Sequence, residues 1–524
     1  MKSIYTFYLL FTGAVLFSAA SCTKLNEEFR GELEEGTSNV GADGLLITAY
    51  SSLLVPYQQD QRWVLQEIST DAAMAPTRGG DWDDNGIYRA IHQHRWNADN
   101  GFMNSTYVSL GTTIYNATNV LRFNPSEQQK AEARFLRALA MFDMIDLYGV
   151  APIREGDALD DFRIAPKVLQ AGEGIDYIIK ELNEIIATLP NGDRTTAYVA
   201  SKDAARTLLM KVYLNKGTFL NRQAPAFDAA DMSQVITLAK AITGTGTYTV
   251  SEPGKYFDNF APDNDVKSTE NIFTLYNQNG KRGGSVDRTW NTIAHYNMSP
   301  GGWNGWCTLS EYYDKFGATD ERRGIYYNYP ADTTYNKSKG FHRQNVGFFI
   351  GQQYNWKTND PLMARNPANA PLVFTREVTI RTSGATLETA GIRPMKYAYD
   401  YSSSGQKNND WVVFRYSDVL LMQAEAVLRG GTGSTAGEVL ALVNKIRGNR
   451  GIGTLGSLNL DNLLDERARE LYWEGWRRQD LIRFGKFLQP FQEKPGTSDP
   501  KYLVFAIPSQ QIAVNPNLKQ NAGY

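Results

Sequence analysis

The residues with the most chemistry to offer fall in short, turn-rich stretches. The first, Pro76-Thr77-Arg78-Gly79-Gly80-Asp81-Trp82-Asp83-Asp84-Asn85-Gly86, is followed by His92, His94 and Trp96. It sets a tryptophan among carboxylates. A sugar ring offers a flat C–H face that packs on an indole, and its paired hydroxyls take bidentate hydrogen bonds from Asp, Asn or Arg, so this mixture suits a carbohydrate site. The second, Gly301-Gly302-Trp303-Asn304-Gly305-Trp306-Cys307-Thr308, follows Trp290, Asn291, His295 and Tyr296, and its glycines expose the indoles. A third, Phe348 to Trp356 with Gln352, Gln353 and Tyr354, offers the same mixture more thinly, with Arg376 and Arg393 beyond it. The candidate ligand contacts are therefore Asp81, Trp82, Asp83, Trp96, Trp303, Trp306, Tyr354 and Arg393. The competing reading of each tryptophan is that it plugs its loop onto the core.

Other chemistries find less support. His92 and His94 share a face if extended and could bind a metal with Asp81 or Asp83, but no third ligand is marked. Asp81, Asp83 and Asp84 lack the spacing of an EF-hand loop. No metal and no cofactor is expected. There is no G-x-S-x-G, H-E-x-x-H, Walker loop or Rossmann fingerprint, and no pair among 56 acids stands out for glycoside hydrolysis. Glu466, Arg469, Glu470, Glu474, Arg477, Arg478 and Asp480 fall at helical spacing and read as ion pairs along one helix. Cys307 reads as a small buried hydrophobe. The chain is expected to be a binder and not an enzyme.

A net charge of −2 over 524 residues offers no field for nucleic acid. Charged residues are only 21% and aromatics 12%, with 29 tyrosines and 10 tryptophans, a content of amphipathic aromatics suited to neutral, hydroxyl-rich ligands. At the N-terminus, Lys2, an apolar run from Ile4 to Phe17 and then Ala19-Ala20-Ser21-Cys22 have the layout of a secretory signal. The run is shorter than the roughly 20 residues that span a bilayer. Small residues directly before Cys22 are similar to a lipobox, in which that cysteine is cut free and acylated, tethering the mature protein to a membrane. Cys307 would then have no partner for a disulfide.

The elements that must position these loops are helices. The clearest starts at Ser126, with Gln129 placed for a capping box, and stops at Gly149 and Pro152. Within it Ala133, Leu136, Ala140, Met144 and Leu147 form one apolar stripe and Phe135, Leu139 and Phe142 a second, so it needs neighbours on two sides. Further helices are expected at 39–55, 103–123, 172–189, 201–215 (closed by Gly217), 231–243, 416–428, 436–447 and 464–486. They pair into about four hairpins resembling tetratricopeptide repeats, without a strict 34-residue period. The fold class is mainly α: stacked helical hairpins with long irregular, loop-rich insertions forming the ligand face. Those insertions, 56–100 and about 251–412, are long enough to be functional. The Ser/Gly/Asn run 399–410 reads as a local flexible loop.

Four blocks carry a resemblance. Ala133 to Ile153, A-R-F-L-R-A-L-A-M-F-D-M-I-D-L-Y-G-V-A-P-I, is similar to the signature helix of the SusD/RagB family. Arg415 to Ala426 resembles that family's second helical signature, Glu466 to Gly475 with Arg477 to Leu481 its third, and Ile507-Pro508 with Asn515 to Asn521 its last segment. The resemblance implies a surface lipoprotein lipidated at Cys22, with Glu27 and Glu28 resembling a surface-export signal. It implies an arc of loop aromatics that captures an oligosaccharide, and a SusC-like TonB-dependent outer-membrane transporter as the partner that receives it. The implied layout is a signal peptide 1–21, a tether 22–38, an N-terminal helical region 39–250 and a C-terminal region 251–524, loop-rich over 251–412 and helical over 413–490. A peptide-binding lipoprotein of the same fold and a glycoside hydrolase are the alternatives.

Overall fold

The helices pack in sequence order, with the longest excursion of chain between the sixth and the seventh. The computed structural model describes residues 41–524, other than 59–60, 156–160, 162, 282–285, 331, 333–334, 385–386 and 404–405; Cys22 and the expected signal and tether lie outside the described residues. The first half runs α1 (Ala42–Ser52), α2 (Gly101–Val120), α3 (Glu127–Tyr148), α4 (Ala171–Ile185), α5 (Lys202–Leu220) and α6 (Ala229–Thr243). Helix resumes with α7 (Tyr416–Leu428), α8 (Ala436–Asn449), α9 (Leu460–Glu470) and α10 (Arg477–Arg483). Each of α1 to α7 packs on the next, and α9 packs on α7. The architecture is mainly α, as the periodicity implies.

The α3 helix is the keystone of the first half. Ser126 and Gln129 form the capping box, with the Ser126 N–H donating to Gln129 Oε1 at 2.8 Å, and Gly149 closes the helix in the left-handed region at φ 75°. Both expected apolar stripes are buried, and so are most residues between them, because α3 packs against α1, α2, α4 and α5. Its polar residues are equally committed. Arg62 donates to Asp143 at 2.8 Å, Tyr57 also donates to Asp143, and Gln66 donates to Asp146 at 2.6 Å, pinning the start of the first long loop to this helix. Gly217 does not end its helix; α5 runs on to Leu220, and the glycine is there because a Cβ would lie 1.7 Å from the Ala226 carbonyl oxygen.

Between the helical halves the chain folds by short antiparallel ladders. β1 (Asn271–Leu275) pairs with β7 (Trp411–Arg415). β3 (Val346–Phe349) lies between β2 (Gly324–Ile325) and β6 (Arg393–Met395), and β4 (Gly351–Gln352) pairs with β5 (Val373–Phe374). One hydrophobic core takes in residues from Leu45 to Leu518. The run 399–410 is an ordered turn over its described residues, not a flexible loop. Asp400 accepts from the Ser402 and Asn408 backbone amides, and Lys407 and Asn409 are buried.

The expected helix 464–486 is broken. Trp473 at φ 61° and Gly475 at φ 80° turn the chain between α9 and α10, a conformation that interrupts a helix. The acidic and basic residues there accordingly pair across the fold more than along one helix. Glu470 accepts from Arg322 at 2.8 Å, Arg415 at 2.7 Å and Arg450 at 3.0 Å, all fully buried. Arg415 also reaches Glu270 at 3.0 Å and Glu474 at 2.8 Å, and Arg477 reaches Asp71 at 2.7 Å. Burial by itself raises a carboxyl, but Arg450 and Arg415 hold Glu270 at about 2, and Arg322 and Arg469 hold Glu466 at about 2.

Three outcomes follow from this packing. These carboxyls fall below their ordinary 4.5 on folding, so their contribution is present above pH 4.5 and is lost as pH drops toward 2, which urea unfolding at stepped pH will show as a steep acid limb. Glu470→Ala removes the carboxylate shared by three buried guanidiniums and is expected to cost about 3–5 kcal/mol at neutral pH in the same assay. Ala140 is fully buried in α3, so Ala140→Arg places an unpaired charge in the stack, with a melting temperature far below that of the parent protein.

Candidate functional site

The glycine-rich stretch 301–308 is wound tightly against the end of the helix Val286–Ile293. Backbone amides of Trp303, Asn304 and Trp306 donate to the carbonyls of Asn291, Ala294 and Thr292 at 2.5, 2.8 and 2.8 Å. A Cβ on Gly302 would sit 2.5 Å from the Asn291 oxygen, and one on Gly305 would sit 2.3 Å from the Trp82 ring, so close approach demands glycine at both places. Two buried arginines clamp the same loop. Arg78 donates to Gly305 O at 2.9 Å, to Ala390 O at 2.7 Å and to Leu387 O, while Arg393 donates to Gly305 O at 3.1 Å, Trp306 O at 3.2 Å and Glu388 O at 3.2 Å. Among the described residues neither has a carboxylate within ion-pair reach. Burial therefore lowers both, Arg78 to about 10, and the same burial raises the neighbouring Cys307 thiol.

This arrangement sorts the sequence candidates by depth. Trp303 is 42% exposed. Behind it Trp82 is half-buried, its indole N–H donating to the Trp303 carbonyl at 2.9 Å, and behind that Trp306 is buried, stacked on Trp63 at 4.3 Å with 12° between the rings. Of the ten tryptophans, Trp303 and Trp82 alone keep surface. Trp306 thus belongs to the core, where its glycine neighbours serve packing and not exposure. Trp96 is also core, 2% exposed, donating to the Tyr524 hydroxyl at 2.7 Å among Tyr502 and Phe505. Arg393 is fully buried and spent on backbone carbonyls, so it has no edge left for a ligand on the surface.

Around Trp303 the surface is polar. The Tyr296 hydroxyl donates to exposed Asp81 at 2.8 Å and stays a donor across the ordinary pH range, pushed up to about 12 by burial and by that carboxylate. The Arg365 guanidinium lies 4.3 Å over the Tyr296 ring, with its Nε donating to Asn297 Oδ1 at 3.2 Å. Beneath them His295 donates from Nε2 to Glu388 at 2.8 Å and accepts the Asn297 amide at Nδ1, which fixes its tautomer. Tyr296, named beside the second stretch, belongs to this face, and so does Arg365, which has no local signal in the sequence. Asp83 is nearby but engaged, accepting from Arg89 at 2.7 Å and from Thr77 at 3.3 Å. Tyr354 lies apart, in a recess with Arg343, and Arg376 pairs on the surface with Asp314 and Glu377. His92 and His94 are buried with both ring nitrogens committed, His92 to the carbonyls of Ile68 and Gln492, His94 to Ser498 and the Ser69 carbonyl, and burial lowers both. Among the described residues no group of three potential ligands could hold a metal.

The outcome is an exposed aromatic and polar platform on a tightly bonded loop, and comparison shows which proteins the chain as a whole resembles. Residues 249–524, more than half of the chain, match the profile of the SusD family. The chain belongs to that family. It is 28% identical over 476 residues to the starch-binding protein SusD of Bacteroides thetaiotaomicron, covering 84% of this chain and 82% of that one. Its fold matches a SusD superfamily protein from Parabacteroides distasonis with a TM-score of 0.69 at 20% identity, over 92% and 98% of the two chains. It also matches surface glycan-binding protein A from Bacteroides thetaiotaomicron, solved in complex with laminarihexaose, with a TM-score of 0.64 at 18% identity over 92% and 98%. The tight Gly305 contact predicts that Gly305→Ala will push the Trp82 indole out of place, read as a changed near-ultraviolet circular dichroism spectrum with unaltered helical signal.

Proposed function

We propose that this SusD-family protein is a surface lipoprotein that captures an oligosaccharide on the Trp303 face and passes it to a SusC-like TonB-dependent transporter in the outer membrane. In this reading Cys22 carries the acyl anchor. The observation that carries the proposal is the exposed indole of Trp303, held by backbone hydrogen bonds beside Tyr296, Asp81 and the edge of Trp82. An indole fixed in this way meets the apolar face of a sugar with little ordering left to do, and the adjacent carboxylate and phenol take its hydroxyls. Relatives named for starch and solved with laminarihexaose support a glycan as the ligand class. The protein binds its ligand without transforming it.

The test is calorimetric titration with malto- and laminari-oligosaccharides. Trp303→Ala is expected to weaken the better ligand by about 1–3 kcal/mol, the range of an aromatic anchor, with the melting temperature unchanged. Trp96→Ala and Trp306→Ala should instead lower the melting temperature, since both indoles are core. Wild-type affinity in Trp303→Ala would place the glycan elsewhere. Cys22→Ala is expected to remove the protein from the outer-membrane fraction.

A further inference from the structure

A second recess lies apart from the Trp303 face. It encloses about 190 Å³ and is lined by Arg343, Gln344, Gln352, Gln353, Tyr354 and Trp356, with the end of β3 as its floor. Its cation is unusual. Arg343 is half-buried, its guanidinium lies flat on the Tyr354 ring at 3.5 Å, and its Nε donates to Asn359 Oδ1 at 2.5 Å. Stacking and the Nε bond fix the plane and leave the two terminal nitrogens, for which no described residue supplies an acceptor or a carboxylate within ion-pair reach. A planar, oriented guanidinium edge of this kind matches the two oxygens of a carboxylate or a sulfate ester.

The neighbouring amides add a second specificity. Gln344 donates to the Arg323 and Phe348 carbonyls, Gln352 to those of Gln353 and Leu362, and Gln353 to those of Ile350 and Gly351. Their NH₂ groups are thereby committed to backbone, which leaves the amide oxygens to accept from hydroxyls. The recess is smaller than the ~300–1,000 Å³ of pockets that engulf drug-sized ligands, and is of the size for one ring. It also connects to the first face through one strand of chain: Gln352 and Gln353 bond to Leu362, while Asn297, beside Tyr296, donates to the next carbonyl, Met363 O, at 2.8 Å. From the unpaired cation, the hydroxyl acceptors and this continuity, we infer that the Arg343 recess is a second binding site that takes an acidic sugar residue, its carboxylate or sulfate ester on Arg343.

Titration with trigalacturonate, its methyl ester, a sulfated galactotriose and maltotriose tests this. The wild-type protein binds one of the two acidic trisaccharides more tightly than the ester and maltotriose, and which of them it prefers identifies the anion. Arg343→Gln weakens the acidic ligand by roughly tenfold or more and leaves maltotriose unchanged. Asn359→Asp, which retains the arginine and places a carboxylate against it, has the same effect and guards against a folding artefact. Equal binding of acid and ester, or wild-type binding of the acid by Arg343→Gln, overturns the inference. So does acidic-sugar binding that needs Trp303 and not Arg343, or hexaglutamate binding at Arg343 with no acidic sugar bound. Failure of the Trp303 reading is separate, since it shows in maltotriose and laminarihexaose binding alone.

Discussion

The carboxylate of Glu470 sits where four pieces of chain meet. It belongs to α9, and its partners Arg322, Arg415 and Arg450 come from the turn before β2, the end of β7 and the end of α8. All are fully buried, so each charge depends on the others for what water would have supplied. Such a network adds little net stability over an apolar core of the same volume, but it tolerates almost no displacement. It therefore fixes where the loop-rich half stands against the helices. Glu270 on the threshold of β1 and Glu474 after α9 extend the same network through Arg415.

That fixed frame explains how an exposed aromatic platform can be built from segments with so little regular structure. The stretch 301–308 has no helix and hardly any strand, yet its backbone is bonded to the preceding helix end, bridged to Met74 and Ile392, and crossed by two arginines. Rigidity here comes from close approach. Gly302 and Gly305 admit neighbours that any side chain would exclude, and beneath the Trp303 backbone Trp82 meets Trp306 edge-on while Trp306 stacks on Trp63. A surface aromatic supported in this way is oriented before the ligand arrives, which lowers the ordering cost of weak binding.

The helices were legible because their signals are local. The capping box at Ser126 and Gln129, the stop at Gly149 and the two apolar stripes of α3 all lie within one element, and α7 starts and ends where its periodicity says. The site was legible in kind but not in depth. Trp303 and Trp306 are three residues apart in the same glycine-rich run, and only the paths of loops 74–82 and 387–393 decide that one faces water and the other Trp63. Arg393 looked like a ligand contact because nothing near it in sequence reveals the carbonyls it serves. The break between α9 and α10 was hidden for a related reason: Trp473 takes a left-handed backbone that its type disfavours, held by an indole hydrogen bond to the Ala72 carbonyl from the far end of the chain. Tyr296 and Arg365 come together across a sequence separation that no motif records.

Arg78 and Arg393 hold the loops of the Trp303 face through main-chain oxygens, those of Gly305, Trp306, Leu387, Glu388 and Ala390. A carbonyl is the same whatever residue bears it. The loops can therefore exchange their outward side chains while the two guanidiniums continue to dictate the route of the backbone. On the proposed function, recognition and anchorage are thus held by different atoms of neighbouring residues. In that reading the scaffold can be re-aimed at a new ligand by substitution at positions 81, 296, 303 and 365 without renegotiating its fold.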